Sequence, residues 1–432
     1  MKPSRRDFLG RALSHTGAAT MLSALGPSAI ASGAETPKGK ADSCIFIWLG
    51  GGACHVDTWD PKVRGDAAKK IPGSYYDAVP TAIADVQVCE HLQRTAKLLD
   101  RCVLLRSVHH DVVDEHAAAV NRLHTGRPTS GTTIYPSVGS VAAHQLGPGS
   151  EAVPPYVVMG YPNITRGPGF LGPEAGFVYL TDTKAGPSAL RLPPDVDRFR
   201  QLRRENLLGK LQKNYLAKHA SDEAIDTYAK VTDAGLRMTK SKFMSVFDLD
   251  DEPTSRREAY GSEFGQRCLL ARRLTGVGVR FVEVAFNLNF LNGTGWDTHN
   301  EGQLQQHLMI DELDRAFSSL IEDLEREKRL DRTLLVIATE FGRPPEFDGR
   351  GGRGHQCRAF SIVLGGGGLR TGQVVGQTDE LGKRIVEGPV SVADLHATIY
   401  ATLGIDPAEE LYDGDRPVPI TDHGMPVREL FT

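Results

Sequence analysis

The chain of 432 residues is 40% hydrophobic and 24% charged, with a net charge of −4, which is an ordinary globular composition. Nothing in that balance supplies the basic face a nucleic-acid binder needs, and no apolar run reaches the roughly 18 residues of a membrane span. The length suits one large α/β core with insertions, or two domains.

The first informative stretch is "SRRDFLG", Ser4 to Gly10, which places Arg5 and Arg6 ahead of a weakly apolar segment. That segment closes on Ala29-Ile30-Ala31, a small-x-small cleavage pattern. The combination predicts a twin-arginine export signal over residues 1–31, a mature domain over 32–432 and a periplasmic or extracellular location. The alternative is a flexible basic tail. The six cysteines (Cys44, Cys54, Cys89, Cys102, Cys268, Cys357) form no C-x-x-C and read mainly as small buried hydrophobes. A disulfide stays open in an oxidising compartment.

Further along, short apolar runs predict buried parallel strands at Ser43–Gly52, Cys102–Val108, Pro155–Gly160, Val279–Phe286, Thr333–Gly342 and Phe360–Gly368. Helical patterns fall between most of them. Leu304, Leu308, Phe317, Ile321 and Leu324 recur near helical spacing, and a shorter helix over Asp394–Gly404 stops at its glycine. Strand–helix alternation predicts an α/β fold, a mainly parallel central sheet with helices on both faces. A charged stretch without strand signals, about 198–242, reads as a helical insertion at the surface.

In such sheets ligands collect at the carboxyl ends of the strands, so the residues just past each strand carry the most information. His55 and Asp57 come after the first. "HHDVVDEH", ending in His116, comes after the second. Asp297 and His299 lie beyond "VRFVEVAF"; Glu340 and Arg343 end "VIATEFGR", with His355 shortly after. These are the oxygen and nitrogen donors of Zn, Mn or Ca sites. Each cluster has a plainer reading: Asp57 as a turn residue, Asp297 as the cap of the next helix, His355 as a loop residue. Their recurrence at four strand ends favours one shared polar site. "LGGGG" lacks the order of a dinucleotide cradle, and no G-x-S-x-G is present.

Several blocks together resemble a known family. "WLGGGACHVDTWDPK", "HTGRPT", "YGSEFGQRCLLARRLTGVGVRFVEV", "GWDTH", "TEFGR" and "HATIYATLGIDP" are similar to the domain-of-unknown-function family 1501, placed with the alkaline phosphatase and sulfatase superfamily. The resemblance implies an alkaline phosphatase-like fold with one or two divalent ions at the strand ends. It also implies a Ser, Thr or modified Cys nucleophile at a helix N-terminus. "RLHTGR" resembles the sulfatase stretch ending in "LLTGR", and the sulfatase spacing puts His116 in the nucleophile's position. The chain departs from the pattern there, and also at Glu340-Phe341, where an Asp-His pair is expected.

The residues and the resemblance together indicate an exported metal-dependent hydrolase-like protein acting on phosphate or sulfate esters, either small molecules or glycans. His55, Asp57, His116, Asp297, His299, Glu340 and His355 are the candidate ligands for Zn, Mn or Ca. His116 is a further ligand or an unusual nucleophile, and Arg343 and Arg127 are candidate clamps for the anionic group. The competing readings are a non-catalytic binder of sulfated or phosphorylated glycans, and a structural partner whose polar clusters only support loops.

Overall fold

The computed structural model describes residues 36–431 apart from 151, 161–163, 181–182, 184–185, 188–189, 191–194, 220–221, 241, 288–294, 300–301 and 350. The expected export segment lies outside the described residues. No helix of the described residues is long and apolar enough to cross a membrane.

Nine strands form the main sheet: β1 (Ser43–Trp48), β2 (Cys102–His109), β3 (Tyr156–Met159), β4 (Val178–Leu180), β5 (Phe281–Ala285), β6 (Thr333–Ala338), β7 (Phe360–Gly366), β8 (Gln373–Val375) and β9 (Val390–Ser391). Their spatial order is β8-β2-β7-β6-β1-β5-β3-β4, with β9 also beside β2. Every residue of β1, β5, β6 and β7 is buried, because both faces of the sheet are covered. Strand residues alternate between two cores. On one side Ile45, Ile47, Val282, Val284, Leu335 and Ile337 meet two helices, α5 (Glu263–Gly276) and α6 (Gln303–Arg326), through Leu269, Leu274, Phe317 and Leu320. On the other, Phe46, Trp48, Leu334 and Val336 meet α1 (His116–Thr125), α2 (Val138–Leu146) and α7 (Val392–Thr402) through Leu123, Val141, Leu395 and Ile399.

The charged stretch read as a helical insertion holds α3 (Arg198–Leu216) and α4 (Glu223–Lys240), and α3 buries none of its residues. All six cysteines are buried and free.

One strand corrects the sequence reading. The run at Phe360–Gly368 reads as a parallel strand, yet β7 is antiparallel to both neighbours, β2 and β6. Apolar composition reports burial, not direction. Among the described residues no crossover helix separates β6 from β7, and only a crossover returns a chain to the same end for a parallel pairing. The reversal has a consequence for the site. The start of β7 lies at the edge where β6 ends, so His355, just before β7, shares an edge with Glu340.

A buried acid interrupts the apolar pattern of β5. Glu283 accepts from the Tyr156 hydroxyl at 3.0 Å, lies 3.3 Å from His124 Nε2 and pairs with the buried Arg166 guanidinium. Burial alone raises such a carboxyl, but Arg166 and His124 outweigh it and hold it down at about 2. A depressed folded-state value stabilises the fold above the unfolded value, and the stabilisation disappears as pH falls toward 2. The linkage is on the order of 3 kcal/mol. Glu283→Gln should therefore be less stable at neutral pH and should lose stability less steeply between pH 5 and 2, followed by thermal unfolding. Parallel acid slopes in the two proteins would remove Glu283 from the account.

Candidate metal centre

The site grows from the ends of β1, β2, β5 and β6. The glycine loop after β1 provides its floor. Gly51 has φ +121°, and an added Cβ would lie 2.4 Å from the backbone nitrogen of Asp297, so the position needs glycine for conformation and for closeness. Its N–H donates to Glu340 Oε1 at 2.7 Å, and its carbonyl accepts from the Arg343 guanidinium. Asp297 is set by its neighbour: Trp296 is wholly buried and meets the Phe286 ring edge-on, with centroids 5.4 Å apart. The cap reading does not describe Asp297, since α6 begins at Gln303 with Gly302 in the cap position. His116 opens α1, whose cap is Glu115; that carboxylate accepts from Ala117 N at 2.8 Å and Ala118 N at 2.7 Å.

Four of the sequence candidates meet. One ligand atom from each of His116, Asp297, His299 and His355 lies within 4.8 Å of all the others. Asp297 Oδ1 is the centre: His299 Nε2 is 3.1 Å away, His116 Nε2 3.4 Å and His355 Nε2 3.6 Å. His299 Nε2 and His355 Nε2 are themselves 3.1 Å apart. A tetrahedral ion with bonds of roughly 2.0–2.1 Å separates its ligand atoms by about 3.3 Å, and the 3.1–3.6 Å separations among these atoms bracket that spacing. Three imidazole nitrogens and one carboxylate oxygen are a borderline-metal donor set, poor in the six to eight oxygens, roughly, that calcium takes.

Charge points the same way. Asp297 and Glu340 are buried to 2% and 0% exposure, and Arg343, at 0%, donates to Asp297 Oδ1 at 2.5 Å. The guanidinium thus pairs with Asp297, while Glu340 meets His116 and the Gly51 N–H, and an uncompensated buried charge is costly. His116 responds: burial disfavours its charged form, but Asp297 and Glu340 overcome that and raise it to about 9. The cluster attracts positive charge.

The remaining candidates stand elsewhere. Glu340 lies beside the group, 2.9 Å from His116 Nδ1, with His110 Nε2 donating to its backbone carbonyl at 2.6 Å. Asp57 is outside it, engaged with Arg353: Arg353 Nε to Oδ2 is 2.9 Å and Nη2 to Oδ1 is 3.0 Å, both side chains fully buried. His55 donates from Nε2 to the Gly382 carbonyl at 2.8 Å, and burial lowers its pKa. Arg127 ties the C-terminal segment, bonding the Pro419 and Thr421 carbonyls and pairing with Asp422 at 3.3 Å. Arg343 is at the centre, but its donors also serve the carbonyls of Gly51, Gly52 and Arg353, so it holds the loops together.

Sequence reasoning passed over three contributors. Asp348 Oδ2 lies 3.3 Å from His299 Nδ1. Asp114, one acid among several in its stretch, has Oδ1 2.6 Å from His355 Nδ1. Arg353 anchors the loop that carries both Asp348 and His355, binding Asp57, the Gly73 carbonyl and the Pro345 carbonyl. The signal was the Asp-Gly turn and paired arginines of "FDGRGGRGH", which composition alone marks as a surface loop.

A family model described as "Protein of unknown function (DUF1501)" matches residues 41–431. A search of curated proteins gives no match. Among solved structures, lipoteichoic acid synthase LtaP from Listeria monocytogenes is 8% identical with TM-score 0.42, over 88% of this chain and 75% of that one. Phosphonate monoester hydrolase SpPMH from Silicibacter pomeroyi is 12% identical with TM-score 0.39, over 90% and 76%. PsFucS1 sulfatase from Pseudoalteromonas sp. is 13% identical with TM-score 0.37, over 86% and 68%. Likenesses of this size say nothing about the reaction of this chain.

The Asp57–Arg353 pair generates a stability prediction. Removing one partner of a fully buried ion pair costs about 3–5 kcal/mol. Arg353→Met should lower the unfolding free energy by that order in denaturant titration, whereas a loss under about 1 kcal/mol would mean that the pair does not anchor the loop.

Proposed function

We propose, for a chain that belongs to the DUF1501 family, that it is an exported hydrolase of phosphate or sulfate esters working with one zinc-type divalent ion. His116, Asp297, His299 and His355 would hold the ion. The observation that carries this reading is the convergence of their four ligand atoms within 4.8 Å at the carboxyl edge of the sheet. When bound, such an ion polarises the ester oxygen and lowers the pKa of water.

The chain's own residues supply less anion-binding power than the resemblance implied. The first amides of α1 serve Glu115. Arg343 and Arg127 are committed to protein acceptors. The ester group therefore depends on the ion for its positive partner. His116 has no hydroxyl to offer; its Nε2 faces Asp297 and suits a ligand better than an attacking group. Arg343 fixes Asp297, while Gly51 brings the β1 loop close enough to complete the wall. These same features favour a second reading, a metal-dependent binder of sulfated or phosphorylated glycans without turnover.

Two outcomes are expected. Purified protein dialysed against Zn(II) should carry one ion per chain by elemental analysis, and Asp297→Ala should carry none. In a screen of aryl phosphates, aryl sulfates and phosphonate esters, turnover should need the ion and fall to background in Asp297→Ala. Uptake without turnover supports the binder; turnover unchanged in Asp297→Ala contradicts this centre. Export is tested separately: changing Arg5 and Arg6 together to Lys should leave the precursor in the cytoplasm, and normal export of that variant argues for a basic tail.

A further inference from the structure

In each histidine of the cluster, one ring nitrogen faces the centre and the other faces a carboxylate. His116 presents Nε2 to Asp297 at 3.4 Å and Nδ1 to Glu340 Oε1 at 2.9 Å. His299 presents Nε2 at 3.1 Å and Nδ1 to Asp348 Oδ2 at 3.3 Å. His355 presents Nε2 at 3.6 Å and Nδ1 to Asp114 Oδ1 at 2.6 Å. Three rings, one opening α1 and two from loops, share one arrangement.

We propose that Glu340, Asp114 and Asp348 are positioning residues, each fixing one imidazole with Nδ1–H toward its carboxylate and the Nε2 lone pair toward a single shared metal ion. The proposal rests on the metal reading above. It moves Glu340 from ligand to support, because its Oε1 is already shared between the Gly51 N–H and His116 Nδ1.

The physical case is one of tautomers. A neutral imidazole has one N–H and one lone pair, and a carboxylate accepts but never donates. Each ring lies between two carboxylates, Asp297 at Nε2 and its own partner at Nδ1, so a cation that takes the Nε2 side leaves the proton on Nδ1, where the partner carboxylate holds it. With a partner carboxylate behind every Nδ1, a bound ion that displaces the Nε2 protons finds three Nε2 lone pairs directed at one volume. His299 Nε2 and His355 Nε2 are 3.1 Å apart, close to the spacing of two ligand atoms on one tetrahedral ion. Carboxylate partners also raise the basicity of a ligating ring, and losing one typically weakens metal binding about 10- to 100-fold.

The supports are themselves held, to differing degrees. Glu340 is fully buried. Asp348 is 40% exposed, on a turn closed by its backbone N–H donating to the Gly352 carbonyl at 2.7 Å. Asp114 is 84% exposed, although its own carbonyl also lies 3.1 Å from His355 Nδ1. Solvent screens exposed partners, so the effects should rank Glu340 over Asp348 over Asp114.

The test uses the full mature chain freed of metal by chelation and titrated with Co(II) against a chromophoric chelator. The ligand-field spectrum is recorded alongside. Asp348→Asn and Asp114→Asn should bind Co(II) more weakly, up to about 100-fold, with a shifted spectrum and an unchanged metal-free unfolding midpoint. Asp111→Asn, which removes an acid of the same loop paired to Arg122 rather than to a ring, should change little. Glu340→Gln should be the weakest binder, and because the side chain is buried its affinity counts only with a native metal-free circular dichroism spectrum. Wild-type affinity and spectrum in both Asp348→Asn and Asp114→Asn overturn the assignment while leaving the metal reading intact. A wild-type protein that takes up no Co(II) overturns both.

Discussion

Asp297 Oδ1 is the atom around which the site is organised. Three imidazole nitrogens and one guanidinium approach it to within 3.6 Å, from the start of α1, the loop after β5 and the segment between β6 and β7. A carboxylate so deeply buried is sustained only by positive charge, and the fold supplies it from several directions. Arg343 contributes a permanent charge and, through its carbonyl contacts, ties the loop after β1 to the loop before β7. His116, raised to about 9, contributes a charge that a metal ion can displace. The glycine at position 51 is the geometric counterpart, since any larger residue pushes against the Asp297 backbone.

The topology explains why such distant residues meet. Ends of parallel strands share one edge, which brings together the segments after β1, β2, β5 and β6. Because β7 is antiparallel, the segment after β6 returns to start β7 at the same edge, and His355 enters that way. Arg353, buried against Asp57, then fixes the irregular loop between Gly342 and His355. The Asp57–Arg353 pair and the histidine–aspartate cluster are thus separate: the pair fixes the loop that delivers His355 to the cluster.

Much of this was legible in the sequence. Uniformly apolar runs marked the strands because a doubly covered sheet buries both faces, and the strand-end rule located Asp297, His299, His116 and His355. What the sequence could not convey was direction and partnership. The run at Phe360 reads the same whether parallel or antiparallel. Asp57 and His55 carry the right atoms at a strand end, yet their side chains turn to Arg353 and Gly382. The two arginines chosen as anion clamps are real anchors, but for backbone carbonyls. Asp348 and Asp114 sit in polar loops where an acid is ordinary, and only the ring nitrogens facing them give them a role. Glu283 passed unnoticed in an otherwise apolar strand, and its partner Arg166 lies over a hundred residues away in the chain.

The most direct test of the central claim is X-ray absorption spectroscopy of the Zn(II)-loaded protein. The account predicts a first shell of about four light atoms at roughly 2.0–2.1 Å, with the multiple-scattering pattern of three imidazoles. A shell of oxygen alone, or one with a single imidazole, would contradict a centre built from His116, His299, His355 and Asp297.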